Sequence, residues 1–481
     1  MFRIAMTVTR NGSHIGILGT VTEEKEIDDG EHDIVLTVKT GKLHGNIKIG
    51  PNLSSAKPLP QMDNLSNPGV KLHGAGFIVT HQYAKQLLKP SKPGCPSIIH
   101  DYRNGRDLAA KPREVQVIDA FGLTVEELAD RHPAIYQHLL NTVKPERDNN
   151  KRESRKEFWW LFGEPNKKLR KQLYGLDRYI ATVETSKHRF FTFLDQSILP
   201  DNMLVNIAVR DADLLGVLSS GVHVCWALAC GGTLEDRPHY NKTRCFETYP
   251  FPDIPEGEIK TRIRDLGERL DAHRKARQAE HADLTLTGMY NVLEKLRKEE
   301  PLTDKDKAIH DQGLVTLLKQ IHDDLDAAVL EAYGWQDLQT TTPLADRLAR
   351  GDEDLEQAIL QRLVDLNHER AAEEARGHIR YLRPEFQDPD HGKKVAQAQQ
   401  DKLALPKEKQ ATPVIADKLA WPKTTVERVA TLKSLLQTLP PDPEFLSPAL
   451  KGNNTPKRRA DIQDLLDTLG QLEVFQLKNA S

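Results

Sequence analysis

What this 481-residue sequence has little of narrows its class first. It holds only four cysteines, Cys95, Cys225, Cys230 and Cys245, none in C-x-x-C spacing. Four thiols in so long a chain build no disulfide framework, so they read as reduced packing residues. Apolar runs are short, and none approaches the roughly 18 residues that a membrane span needs. The opening Met1-Phe2-Arg3-Ile4-Ala5-Met6-Thr7-Val8 has neither the basic head nor the long apolar run of a secretory signal. A cytoplasmic setting with no membrane partner is the expectation. A His-Glu-x-x-His pair, a Walker loop and a recognisable nuclease core are also missing, so no cleavage chemistry is assigned.

What is present suffices to fold. Hydrophobic residues make up 38% and charged residues 28%, and a mean hydropathy of -0.55 points to large solvated surfaces and long helices. The length exceeds one ordinary core and predicts two to four domains. The net charge of -3 hides an uneven distribution: between Lys144 and Arg189 stand thirteen Lys or Arg against seven Asp or Glu. Such a local excess of positive charge matters more to a polyanionic partner than the total does.

Alternation of apolar and polar residues over 1–50 (Ile4, Met6, Val8; Ile15, Ile17; Ile34, Leu36, Val38) predicts a β-meander. Met1 sits directly against an apolar strand, which predicts a missing upstream partner. Residues 51–112 are rich in Pro, Gly, Ser and Asn and read as irregular structure with short strands. From Ile118 to Phe162 the pattern turns helical, with Thr124 and Glu127 spaced as a capping box. Residues 178–183 and 190–194 read as strands, and 214–229 as one helix ended by Gly231-Gly232. Beyond Pro255 the texture changes to long helices. One apolar stripe runs through Ile259, Ile263, Leu266 and Leu270, and another through Leu314, Leu317, Leu318, Ile321, Leu325 and Val329. Thr303 is placed to cap the helix that precedes the second stripe, and Gly334 to end the one that follows. Residues 388–423 read as a linker. The last segment reads as two short helices, the second opened by Thr455-Pro456, and a strand over 472–477.

Several phrases then act together. Tyr102-Arg103-Asn104-Gly105-Arg106-Asp107-Leu108, Lys144-Pro145-Glu146-Arg147-Asp148, Trp159-Trp160-Leu161-Phe162-Gly163-Glu164-Pro165 and Arg178-Tyr179-Ile180-Ala181-Thr182 resemble the MmeI-like DNA methyltransferases. So do Leu215-Gly216-Val217-Leu218-Ser219-Ser220 with His223, Trp226, Tyr240 and Tyr249-Pro250-Phe251-Pro252, then Ala332-Tyr333-Gly334-Trp335 and Leu382-Arg383-Pro384-Glu385. In that family, single-chain restriction-modification proteins carry a target-recognition domain after the catalytic domain. The resemblance implies an α+β chain: a remnant β-meander of a methyltransferase domain with its lead-in (1–112), a mixed α/β target-recognition domain (113–255), a long-helix region (256–387), the linker (388–423) and a small winged-helix-like C-terminal module (424–481).

The departures from the family are as informative as the match. Its members bind S-adenosylmethionine at a Gly-rich turn after a strand and methylate adenine at an Asn-Pro-Pro-aromatic motif. The only G-x-G here, Gly74 and Gly76, lies in a loop-rich stretch, and the only Pro-Pro pair, Pro440-Pro441, lies between Leu439 and Asp442. The expectation is therefore that this chain holds no cofactor and no catalytic residue, and sets where on double-stranded DNA a separate catalytic polypeptide acts with its S-adenosylmethionine. The rival readings are a stand-alone DNA-specificity subunit, an inactive gene fragment, and a helical scaffold that binds protein.

Lys144, Arg147, Lys151, Arg152, Arg155 and Lys156 supply cations for phosphates beside Phe158, Trp159 and Trp160, although a solvated helix face has the same composition. Lys187, His188 and Arg189 sit between two strands, where a loop reaches a groove and a cation reads guanine N7 and O6. Arg178, Lys187 and Arg189 serve equally well as ion-pairing residues across a sheet. Arg237, Asn241, Lys242 and Arg244 form a second candidate loop. Ser219, Ser220 and His223 lack the strained elbow and third orienting group of a nucleophile and read as packing. His310-Asp311 and His322-Asp323 read as helix residues.

Overall fold

A computed structural model describes residues 15–26, 32–44, 49–235 and 237–389 in one unit, and 418–422, 424–436, 443–451, 453 and 455–466 in a second. The expected strands over 4–8 and 472–477 and most of the expected linker lie outside these residues. The α+β expectation holds: small sheets and many helices share the first unit.

Its first element is a hairpin, Gly16–Glu26 against His32–Gly41, antiparallel and bulged between Val21 and Glu23. Pairing sets Val21 opposite Leu36 and Gly19 opposite Val38 on one face. That face is bare: Ile17 is 70% exposed and Val38 57%.

Two four-stranded sheets follow. One runs Ser66–Pro68, Leu204–Ile207, Arg178–Val183, Thr192–Asp195, antiparallel throughout. The other runs Ile78–Thr80, Val115–Ile118, Ile99–Arg103, Leu199–Pro200, with its last pair parallel. Strand Arg178–Val183 is buried on both faces from Tyr179 onward, which is why its sequence does not alternate: four of those five residues are apolar, and the buried Thr182 hydroxyl donates to Phe190 O at 2.7 Å. The turn from Pro200 to Leu204 joins the sheets. Gly69 lets it do so: a β-carbon there would stand 2.0 Å from the Pro200 carbonyl oxygen, where Val70 N–H instead donates to that oxygen at 2.8 Å.

The second sheet packs under His81–Leu88, Val125–Arg131 and Pro133–Thr142 in a core that takes in Trp159, Trp160 and Phe162. The Thr124–Glu127 capping box forms in full. The first sheet shares one continuous core with the long helices Glu258–Glu280, Leu286–Arg297, Val315–Tyr333 and Glu353–Ala375. Buried polar side chains tie distant segments to it. Asn367, fully buried, donates to the carbonyls of Lys57 and Thr248 and accepts from Lys57 N–H. Arg383 donates to the Gln172 and Tyr174 carbonyls.

Two expectations are corrected. Residues 214–229 are not one helix: Ala212–Ser219 and Gly221–Gly231 meet at 62°, because Ser220 is extended and its hydroxyl caps the second helix while donating to Val217 O at 2.7 Å. The second stripe begins later than its spacing implies, since Leu314 is left-handed and exposed and Leu317 is 42% exposed. Among the described residues no single helix is long and apolar enough to cross a membrane.

In the second unit, Thr425–Leu435, Pro443–Leu446 and helical residues 456–466 enclose Leu432, Leu446, Leu450 and Ile462.

Candidate nucleic-acid interface

The two loops singled out by sequence meet. Thr185 bridges His239, Ser186 N–H donates to the Pro238 carbonyl at 3.2 Å, and Tyr240 N–H donates to Glu184 O at 2.7 Å. Between them runs a cleft of about 490 Å³ lined by Arg106, Ser186, Lys187, Met203 and Arg237 among others. Its far wall is the Asn104-Gly105-Arg106-Asp107 start of a short helix. Asn104 and Asp107 form a reciprocal capping box there, and Asp107 also accepts from Arg113 Nε and Nη2 at 2.8 Å. Although burial raises its pKa, those hydrogen bonds hold the Asp107 carboxyl below the usual range. Gly105 allows a close approach here, since a β-carbon would lie 2.9 Å from Val183 Cγ1. The floor is fixed by Tyr102, whose hydroxyl donates to Asp201.

Beside this cleft, past Asn202, a second groove of about 500 Å³ is lined by Lys71, Glu164, Asn166, Glu184 and Asn202. Asn166 adopts a left-handed conformation, accepts from Leu169 N–H to cap a helix, and donates to the Pro68 carbonyl at 2.6 Å.

The candidate cations divide into three sets. Arg147, 1% exposed, donates to the carbonyls of Leu72 and Leu161 and sits over the Phe77 ring. Arg189, 8% exposed, donates to Thr182 Oγ1 at 3.0 Å and to the Val183 and Pro238 carbonyls. Burial brings the Arg189 pKa down to about 10. Both expectations of a DNA-facing side chain are therefore corrected: these guanidiniums donate to oxygens inside the fold and do not reach solvent. Arg178 forks onto Glu268 and lies 3.8 Å from the Phe193 centroid, the ion-pairing alternative. The half-buried Asn241 is engaged locally, accepting from Thr243 N–H to cap the Lys242–Phe246 π-turn.

A second set is half-engaged at the surface. Lys144 pairs with Asp148 at 2.8 Å, Lys156 with Glu153 at 3.3 Å, and Lys242 with Glu247 at 2.5 Å. Arg155 donates to His73 Nε2 at 2.9 Å; burial first, then the Arg155 charge, lower the His73 pKa. His188 shares the Asn291 side-chain Oδ1 with Lys187, and burial lowers its pKa. Lys187 and Arg237 remain 57% and 52% exposed despite pairing with Glu294 and Glu235. Lys151, Arg152 and Arg244 are exposed with no ion pair among the described residues.

Arg106, Lys71, Asn166 and Asn202 were not singled out as contacts. The only signal for Arg106 was its place in an Asn-Gly-Arg-Asp cap. No periodicity marked the other three.

Compared with known proteins, residues 46–253 match the family model of the MmeI target recognition domain. No curated protein matches. Among solved structures, the chain is similar to the type IIL restriction-modification enzyme MmeI in complex with DNA, with a TM-score of 0.51 and 16% identity over 73% of this chain. It spans 42% of the length of that relative. Residues 46–253, which take in both four-stranded sheets and the two loops, form an MmeI-like target recognition domain.

Proposed function

We propose that this chain reads DNA sequence for a site-specific adenine-N6 methyltransferase of the restriction-modification kind, in a cytoplasmic setting, with the methyl-transfer half supplied by another polypeptide. The observation that carries the reading is the convergence of Arg106, Lys187 and Arg237 on one cleft. Exposed cations such as Lys151 and Arg152 supply phosphate contacts that hold the duplex in register, while cleft residues present forked or polar groups to base edges.

Two features support a separate catalytic half. The G-x-G turn does not fit S-adenosylmethionine: Gly76 packs so closely that a β-carbon would stand 2.6 Å from Thr142 Oγ1, which leaves no cradle. The bare apolar face of the Gly16–Gly41 hairpin is the second, because an isolated two-stranded hairpin is marginal in water and an exposed apolar patch marks a contact surface.

Fluorescence anisotropy against a randomised duplex library tests the reading. Selection of one short site, with affinity falling steeply as salt rises, is the expected result; retention of no duplex at low salt would overturn it. Methyl transfer by the purified chain with S-adenosylmethionine would overturn the separate half.

A further inference from the structure

A cavity of about 350 Å³ lies between the Gly221–Gly231, Leu286–Arg297, Val315–Tyr333 and Leu344–Ala349 helices. Its size falls in the range of small-molecule sites. One end is polar and incompletely satisfied. Asp326, 2% exposed, accepts from Gly221 N–H at 2.6 Å through one oxygen, while its other oxygen has no hydrogen-bond partner. Arg297 Nε and Nη2 are likewise unpartnered, and Asp346, its ion-pair neighbour, stands 3.9 Å away. The Ser219 hydroxyl is a third orphan. Tyr290, on the same wall, is engaged with His322 at 2.9 Å. The opposite side is apolar, formed by Val224, Leu228, Ala345 and Leu348.

Buried polar atoms are nearly always paired, and an acceptor and a donor orphaned in one cavity call for a molecule that offers the complement of both. Opposite charges at the polar end disfavour a simple anion or cation. The apolar wall favours a flat ring. We infer that this cavity binds a nitrogen heterocycle of the nucleobase class, its amino group donating to the free Asp326 oxygen, its ring nitrogen or carbonyl accepting from Arg297, and its face against Val224 and Leu228. This site is distinct from the cleft; its free-base arm stands apart from the DNA reading, and its duplex arm rests on that reading. The same chemistry comes from a free base or from a base swung out of a strand, and Lys187 borders both cavities.

The test uses the full chain in two arms: calorimetric titration with adenine and cytosine, and fluorescence of 2-aminopurine placed at successive positions of a duplex. Saturable binding in either arm is expected, with the responding arm identifying the source. Asp326→Asn should weaken it by about tenfold, because the amide sets an N–H donor where the free oxygen would accept. Leu228→Trp, at a position 48% exposed, should fill the cavity and abolish binding while leaving duplex affinity unchanged. The inference is overturned if neither arm binds while the chain still melts cooperatively, which would leave only ordered water on the orphans, or if both variants bind as the parent does.

Discussion

The guanidinium of Arg189 lies 5.0 Å from the ring centroid of Tyr240, and this pair stitches the 184–189 loop to the loop that carries Arg237 and Asn241. Among the described residues no carboxylate pairs with the charge; its acceptors are a hydroxyl and two carbonyls. Arg189→Met would strip the buried Thr182 hydroxyl and Val183 carbonyl of this donor, while the Pro238 carbonyl keeps the Ser186 N–H. A loss of about 2–4 kcal/mol is expected by urea unfolding, against about 0.5 kcal/mol or less for surface Lys187→Ala. A loss below about 1 kcal/mol for the Met variant would show that the stitch contributes little.

Charge removal at the surface should separate two kinds of contact. Lys151→Ala is expected to weaken cognate and scrambled duplexes equally and to reduce the salt slope by about 1. Arg106→Ala should cost about 1–3 kcal/mol on the cognate duplex alone. Equal losses on both duplexes in the Arg106 variant would reassign it to phosphate.

Gly69 has no room for a methyl group, since both nearest atoms, the carbonyl oxygens of Pro200 and Asp201 at 2.0 and 2.3 Å, belong to backbone. Gly69→Ala should cost about 3 kcal/mol by urea unfolding through overpacking. It should also blunt duplex binding, because the Pro200–Leu204 turn floors the cleft. Wild-type stability in this variant would mean that the two sheets tolerate separation.

His223 is fully buried, with Nδ1 2.7 Å from Leu218 O and Nε2 3.2 Å from the Tyr240 hydroxyl. The network assigns the proton to Nδ1. Burial lowers its pKa from 6.5 to about 4. A neutral native imidazole gives stability that is fully present above pH 6.5 and lost as pH falls toward 4, where the unfolded chain takes up the proton. Asp326 acts in the opposite sense: burial raises its pKa from 3.8 to about 7, so its contribution is lost as pH rises through that value. His223→Gln should flatten the acid side of stability against pH, and Asp326→Asn should raise stability at pH 8. Parallel curves for parent and variants would contradict both assignments.

Local chemistry was legible in the sequence wherever it acts over a few residues. Thr124 with Glu127 forms the capping box that its spacing predicts, and Thr303 caps its helix as expected, with Asp306 completing a box beyond that expectation. Gly334 ends its helix left-handed, and Ile263, Leu266 and Leu270 face the core. The reading of His223 as an internally satisfied residue also holds. The break at Ser220 was hidden because both flanking segments are apolar on all sides.

The sequence by itself determined the segment types, the caps, the apolar stripes and the clustering of cations between Lys144 and Arg244. Only the tertiary structure decided which of those cations face solvent. Arg147 reaches a carbonyl 75 residues away and Arg189 one 49 residues away, and a charge pattern along a chain carries no information about acceptors brought near by folding. For the same reason Arg106, unremarkable in one dimension, stands in a cleft with Arg237: two sheets joined at Gly69 and Pro200 bring together loops that the chain keeps more than a hundred residues apart.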